Sequence, residues 1–421
     1  MTDDPDWLAA ARAHVWRPYT QMKTAPAPLP VVETRGSRLR LADGRDLVDG
    51  IASWWTACHG YNHPHILAAM QAQLARMPHV MLGGLTHEPA ARLAERLARA
   101  LPGDLNHVFF AESGSVSVEV AMKMAVQFWI NHGAEGRTRF LAFRGGYHGD
   151  TFATMSVCDP EEGMHAHFGR ALAQQILADL PTDPAGELAL DQLLAERGPE
   201  IAAILVEPLV QGAGGMVMHD PEVLRRLRRL ADRHGVLLIF DEIFTGFGRT
   251  GAFFAMEQAG VVPDIVTLSK ALTGGAAPLS AAVASSHVFE AFWSDDPLKA
   301  LMHGPTYIGH ALGCAAANAS LDLFEQTDWR AEVARIAARL EEGLGPCRAL
   351  ERVQDVRLLG AIGVVQLDRS ADLGVLGPQF VDLGCWIRPF RDIVYLTPAL
   401  NIADADLERL TGAIVHVLTP G

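Results

Sequence analysis

Apolar and polar positions follow two different rhythms along this chain. Residues 31–50, VVETRGSRLRLADGRDLVDG, alternate singly about an Asp43-Gly44 pair, which predicts a small antiparallel meander. From about residue 60 the period lengthens. PHILAAMQAQLARM and EPAARLAERLARAL repeat their apolar residues every three or four positions, the spacing of amphipathic helices. Short unbroken apolar runs then alternate with helix-length segments. They are HVFFA at 107–111, RFLAF at 139–143, AAILVEP at 202–208, GVLLIFDE at 235–242, DIVTLS at 264–269 and LSAAVAS at 279–285. Strands without a polar face belong to a mostly parallel sheet covered by helices on both sides. Beyond residue 310 an Ala-rich helix, GHALGCAAANASLDLFEQ, precedes amphipathic helices and short strands such as AIGVVQLD. The pattern predicts an α/β protein with a large domain over 60–310. The segments 1–59 and 311–421 are expected to combine into a smaller α+β domain.

Composition narrows the function classes. In 421 residues the hydrophobic share is 49% and the charged share 20%, values of an ordinary globular protein with a large core. A net charge of −14 argues against a nucleic-acid partner or an anionic membrane surface. Five scattered cysteines without a C-x-x-C pair form neither a disulfide framework nor a zinc site, and no His/Cys/Asp group has metal-ligand spacing. The opening MTDDPDWLAAARAH is acidic and lacks the basic-then-apolar order of a secretion signal, and no apolar run approaches a membrane span. These features lead to an expectation of a soluble cytoplasmic protein that binds no metal.

The basic residues carry the sharper signal. Only Lys23, Lys123, Lys270 and Lys299 are lysines; the other 31 of 35 are arginines. Lys270 stands at the end of the apolar run DIVTLS, where an arginine could carry the charge but could never offer a neutral amine. Ligands of parallel sheets bind at the carboxyl ends of strands, so the residues that follow each run are the candidates. After HVFFA, Glu112-Ser113-Gly114-Ser115 opens a helix; it reads as a phosphate-binding turn or as a plain serine cap. RGGYHGD follows RFLAF and places Tyr147, His148 and Asp150 in a glycine-rich loop, where an aromatic residue could stack on a flat ring. Asp241 ends GVLLIF as a carboxylate that burial obliges to find a partner, either an arginine or a protonated ring nitrogen. Glu207 and Arg249 lie near these strand ends with no definite role, and His148 reads as a hydrogen-bonded loop residue. A phosphate turn, a ring-covering aromatic, a carboxylate for a ring nitrogen and an imine-forming lysine are together the requirements of pyridoxal 5′-phosphate (PLP).

LLIFDEIFTGFGRTG at 237–251, followed by DIVTLSKALTGG at 264–275, resembles the signature of the class III (subgroup II) aminotransferases of PLP fold-type I. The likeness covers essentially the whole chain. WRPYTQM (16–22), SWWTACHGYNHP (53–64), HVMLGGLTHEP (79–89), HGPTYIGH (303–310) and WIRPF (386–390) are similar to the members of that family that act in biotin synthesis. The resemblance implies that Lys270 holds PLP and moves protons, and that Asp241 faces the pyridine nitrogen. It also implies that Gly114 and Ser115 bind the phosphate and that Tyr147 stacks on the ring and touches substrate. Pro305 and Thr306 are expected to reach the phosphate of a partner subunit in a homodimer, with Gly304 beside the substrate. Tyr19, Trp54 and Arg388 are expected in the substrate pocket, Tyr19 with a catalytic part and the arginine holding a carboxylate. From the residues alone, Trp54 and Trp55 read as core aromatics of the smaller domain, Tyr19 as an N-terminal anchor and Arg388 as a partner of Asp382 or Asp392. The implied substrates are S-adenosylmethionine and 8-amino-7-oxononanoate, used in two half-reactions. Lysine as donor, or an ω-amino acid or diamine transaminase, is the alternative. TYIGH and LTGGAAPLS differ in detail from the family pattern, which leaves the shape of the pocket open.

Overall fold

A computed structural model describes residues 5–160, 165–370 and 373–420; the first four residues of the acidic N-terminal stretch lie outside it. The chain forms two compact units, one of residues 1–64 with 331–421 and one of 65–330.

The unit of 65–330 is built on a seven-stranded sheet. In spatial order its strands are Leu105–Ala111, Ser280–Ser285, Ile265–Leu268, Leu237–Asp241, Ile201–Val206, Arg139–Phe143 and Ile176–Ala178. All six apolar runs form strands of this sheet. Only Ser280–Ser285 runs against its neighbours; every other pairing is parallel or crosses that one strand. Ile201–Val206 and Leu237–Asp241 are buried at every residue, which explains their lack of alternation: both faces are covered. The edge strand Ile176–Ala178 is three residues long and carries too little pattern to be read from the sequence.

Helix Gly114–Asn131 covers one face. Val118, Ala121, Met122, Ala125 and Phe128 pack against Phe140, Ala203, Leu205, Ile239, Ile265 and Ala282. Helix Pro221–His234 starts at Asp220, whose carboxylate accepts the Glu222 N–H at 2.7 Å, and stops at Gly235, the left-handed residue at its end (φ 57°). Its leucines are buried, while its arginines pair outward, as Arg229 does with Glu187 and Glu222.

The Ala-rich helix Ala311–Gln326, grouped with the terminal segments in the sequence reading, belongs to this unit. Small side chains permit the close approach: Ala316, Ala319 and Leu323 contact Ile66. Asn318 Nδ2 donates to Pro89 O at 2.9 Å, and Arg96 donates to Asn318 O at 2.7 Å.

In the other unit the meander forms as expected. Val31–Arg35 pairs with Arg38–Leu41, and that strand with Asp46–Asp49 across the Asp43-Gly44 turn. A fourth strand, Cys385–Trp386, adds in parallel with the register Trp386 to Asp49. A second sheet joins Val353–Leu359, Ile362–Leu367 and Ile393–Leu396, all antiparallel.

Ile239 is fully buried in the middle of the large sheet. Ile239→Ala is expected to cost about 2–5 kcal/mol through lost burial and the cavity left behind, read as a lower denaturant midpoint for that unit.

Candidate active site

The carboxyl ends of the central strands carry an unusual density of buried ionisable groups. Asp241 ends its strand opposite Thr267 in the parallel register, so Lys270 follows three residues later, just past the end of the adjacent strand. The connection between these two strands contains only the four-residue helix Met256–Ala259, so it is a loop crossover and not a full helical one.

Asp241 is 4% exposed, and its surroundings saturate most of its acceptor capacity. Oδ1 accepts from the Ile243 N–H at 3.1 Å and the Thr267 hydroxyl at 3.3 Å, while Oδ2 lies 2.9 Å from His148 Nδ1. His148 is 2% exposed, so the pair is sealed from water on both sides. The sequence reading placed His148 among loop residues; the structure makes it a direct partner of Asp241. Its signal was its place after a sheet strand, the same kind of position that singled out Asp241.

Glu207 is the second group that pattern alone did not explain. Its Oε2 accepts the Tyr147 N–H at 3.0 Å and its Oε1 the Gly212 N–H at 2.9 Å. One carboxylate thus fastens the loops that follow two neighbouring strands. Burial, reinforced by Asp241, pushes its pKa up to about 7, against the opposing pull of His148 and the two N–H groups. The same loops touch backbone to backbone. A Cβ at Gly214 would stand 1.7 Å from Gly145 O, so glycine is required there. Glu242, fully buried, is likewise raised to about 7 by desolvation and accepts from the Thr245 hydroxyl and the Ala255 and Met256 N–H groups. It fixes the loop beyond Asp241. Arg249, also buried, lies in that same segment.

Lys270 opens a 3-10 turn with φ 47°, a left-handed conformation that costs a non-glycine residue about 1–2 kcal/mol. Its Nζ is 5.7 Å from the centre of the Phe244 ring. Burial of the amine lowers its pKa from an ordinary lysine's 10.5 to about 8, and the Asp241 and Glu207 carboxylates oppose that shift.

Around this core stand the other expected cofactor residues. Ser113 caps helix Gly114–Asn131, accepting the Val116 N–H at 3.3 Å, and so leaves the first-turn N–H groups at Gly114 and Ser115 for an anion. Ser115 Oγ accepts the Asp150 N–H at 3.1 Å, and a Cβ at Gly149 would meet that Oγ at 2.3 Å. The Tyr147 hydroxyl donates to Asp150 at 2.8 Å. Gly304 and Thr306 are exposed and Pro305 is half-buried in the loop before helix Ala311–Gln326.

In the unit of 1–64 and 331–421, Tyr19, Trp54 and Arg388 come together. The Arg388 guanidinium lies 4.7 Å from the Trp54 ring centre, and Tyr19 meets Trp54 edge-on at 6.4 Å. Trp54 is 37% exposed, so it is not a core aromatic; Trp55 packs inward on Tyr395 at 5.9 Å. Asp392, one of the carboxylates considered for Arg388, accepts instead from Gln366 Nε2 at 2.7 Å. The segment carrying the two tryptophans has φ of 45° at Ala52, 50° at Ser53, 55° at Trp54 and 73° at Trp55. Four successive left-handed residues, none of them glycine, cost about 1–2 kcal/mol each before compensation.

A mostly parallel sheet with a buried carboxylate and a desolvated lysine on adjacent strand ends, beside a helix N-terminus, is the architecture of the PLP fold-type I enzymes. The chain belongs to the class-III aminotransferases: the family model described as Aminotransferase class-III matches residues 19–418, and its members depend on PLP. Among relatives, the adenosylmethionine-8-amino-7-oxononanoate aminotransferase of Mycobacterium leprae is 47% identical over 96% of this chain and 95% of its own length. The enzyme of the same name from Corynebacterium glutamicum is 42% identical over 94% of each. Among solved structures, the Methanocaldococcus jannaschii enzyme of that name superposes with a TM-score of 0.93 at 29% identity, covering 98% of both chains. A PLP-bound amine transaminase from an uncultivated Pseudomonas species gives 0.87 at 31% identity, covering 96% of this chain and 98% of its own. Among the described residues no helix is long and apolar enough to cross a membrane, and no group of three or more His, Cys, Asp or Glu could hold a metal ion.

A lysine pKa of about 8 makes the amine protonated and unreactive below that pH and neutral above it. In cofactor-free protein, acylation of Lys270 followed by peptide mapping should reach half its maximal rate near pH 8. In the denatured chain the midpoint should move up to about 10.4.

Proposed function

We propose that this protein transfers the amino group of S-adenosylmethionine to 8-amino-7-oxononanoate, yielding 7,8-diaminononanoate, in two half-reactions on one cofactor. The observation that carries this reading is the 47% identity to an aminotransferase of that name along nearly the full length of both chains. The buried lysine and carboxylate at adjacent strand ends are chemically suited to it.

The residues present fit PLP. Gly114 and Ser115 would hold its phosphate at the helix N-terminus, Tyr147 would lie on its ring, Asp241 would face the pyridine nitrogen, and Lys270 would hold its aldehyde carbon. When bound, PLP supplies a ring that accepts the electron pair left on the substrate carbon as the proton departs.

The chain's own residues do the remainder. Asp241 would face the pyridine nitrogen, and its carboxylate, held by His148, Thr267 and the Ile243 N–H, would favour a proton there. His148 fixes the carboxylate plane by its hydrogen bond to Oδ2. Lys270, whose pKa of about 8 leaves roughly a tenth of the amine neutral at pH 7, would take the proton from the substrate's α-carbon and hold it as the ammonium. Arg388 offers a planar fork to a substrate carboxylate, with Trp54 and Tyr19 as flat walls for a chain or a sulfonium-bearing group. Tyr19 assists at the reacting end. Gly304 borders the substrate, and Pro305 and Thr306 serve the phosphate of a second copy in a homodimer. A biosynthetic role on small charged metabolites suits a cytoplasmic location.

A second reading, a transaminase of an ω-amino acid or diamine, has one observation in its favour: a 31%-identical structural neighbour is an amine transaminase. A donor screen with 8-amino-7-oxononanoate as acceptor separates the two. Turnover with S-adenosylmethionine supports the first; turnover with lysine alone would revise the donor; activity only with β-alanine or ornithine would replace it.

Lys270→Ala is expected to lower kcat by a factor on the order of 10⁴ or more and to abolish the visible absorbance of the lysine-bound cofactor. Retained turnover with that absorbance intact would remove Lys270 from the mechanism.

A further inference from the structure

The left-handed segment at residues 52–55 needs an explanation that its own sequence does not provide. Ala52, Ser53, Trp54 and Trp55 all have positive φ, and Ser53 and Trp54 have ψ of 58° and 50°. Trp55 N–H donates to Ile51 O at 2.8 Å and Thr56 N–H to Ala52 O at 2.9 Å, so this is one hydrogen-bonded turn of left-handed helix. L-residues avoid that conformation, and a run of them persists only where the surroundings over-determine it.

Asp49 supplies the determination. It is 1% exposed, at the end of strand Asp46–Asp49. Oδ1 accepts the Ile51 N–H at 2.9 Å, and Oδ2 accepts the Ser53 N–H at 2.8 Å and the Tyr61 hydroxyl at 2.6 Å. Ser53 Oγ is 2.7 Å from the same Tyr61 oxygen, so side chain and backbone of the turn are tied to one point. Tyr61 is itself fixed by paired backbone hydrogen bonds with Gly36.

The same strand end aligns what faces the turn. Trp386 is the parallel partner of Asp49, and Gly50 N–H donates to Trp386 O at 3.0 Å. Arg388 follows two residues later, its guanidinium over the Trp54 ring. Trp55 is anchored on Tyr395, a fully buried side chain. Asp49 therefore sits where the sheet delivers both walls of this pocket.

We propose that Asp49 is a positioning residue for the carboxylate-binding part of the substrate site: its buried carboxylate holds residues 52–55 left-handed and so sets the Trp54 face against which Arg388 lies. This rests on the reading that Trp54 and Arg388 meet the substrate. An aspartate is required because its two oxygens must accept three hydrogen bonds; an asparagine amide nitrogen would oppose the N–H or O–H donors on one side.

The test compares Asp49→Asn, Tyr61→Phe, Ala52→Gly and the double variant Asp49→Asn/Ala52→Gly in PLP-loaded enzyme. KM and kcat for 8-amino-7-oxononanoate are measured together with the near-UV circular dichroism of the tryptophans, with Trp54→Phe as the spectral reference. In Asp49→Asn, KM should rise on the order of tenfold with kcat changed by no more than about twofold, and the Trp54 contribution to the spectrum should be lost. Tyr61→Phe should show the same pattern at roughly threefold. Ala52→Gly should recover most of the KM in the double variant, because glycine takes positive φ without the Cβ penalty.

Wild-type KM and spectrum in Asp49→Asn would overturn the proposal. So would a KM defect that Ala52→Gly does not relieve and that comes with loss of cofactor absorbance, which would mark Asp49 as general scaffolding. If Arg388→Ala and Trp54→Ala raise KM but Asp49→Asn does not, the pocket reading stands and this proposal alone falls. If neither alters KM, the pocket reading falls and takes the proposal with it.

Discussion

The contact between Asp241 and His148, 2.9 Å apart and shut off from water, is the interaction on which this molecule depends. A carboxylate at the centre of a sheet would be prohibitively costly if unpaired, so the fold surrounds it with a histidine, a threonine hydroxyl and a backbone N–H. That arrangement orients it beside a lysine whose own burial lowers its pKa to about 8. Opposite shifts in stability and reactivity come from one cause. The desolvation that makes each group expensive also makes the lysine neutral enough to act, and the two groups moderate each other's cost by their charge.

Backbone strain is present at several of the candidate site residues. Lys270 and the Ala52–Trp55 turn adopt conformations that L-residues avoid, and in both cases the neighbouring structure is densely hydrogen-bonded or tightly packed. The loops after two neighbouring sheet strands are held by Glu207 and by a glycine contact too close for any side chain. Such over-determination fixes the geometry of these loops, and a site assembled from loops requires that precision.

Much of this was legible in the chain. Unbroken apolar runs gave six of the seven strands of the large sheet, because strands covered on both faces cannot alternate. The rule that ligands meet parallel sheets at strand ends then singled out Asp241, Lys270 and the Ser-Gly-Ser turn. His148 and Glu207 obeyed the same rule but were indistinguishable from ordinary loop and strand-end residues, since a hydrogen-bond partner 60 to 93 positions away leaves no local trace. The short edge strand and the placement of helix Ala311–Gln326 escaped for a related reason. Three residues carry no period, and an Ala-rich helix does not announce which neighbour its small side chains will approach.

What the sequence determined by itself was therefore the kind of fold and the candidates for the reactive groups: apolar periodicity sets layers, and one of four lysines in an arginine-rich chain stands at a strand end, where it offers an amine that arginine cannot. Only the tertiary structure decided how those groups behave. The acceptor geometry at Asp241, the depressed lysine pKa, the glutamate that fastens two loops and the left-handed turn under Asp49 all arise from contacts between residues distant in the chain. Burial, partner distance and positive φ are properties of the packed molecule, and no local pattern of residue types encodes them.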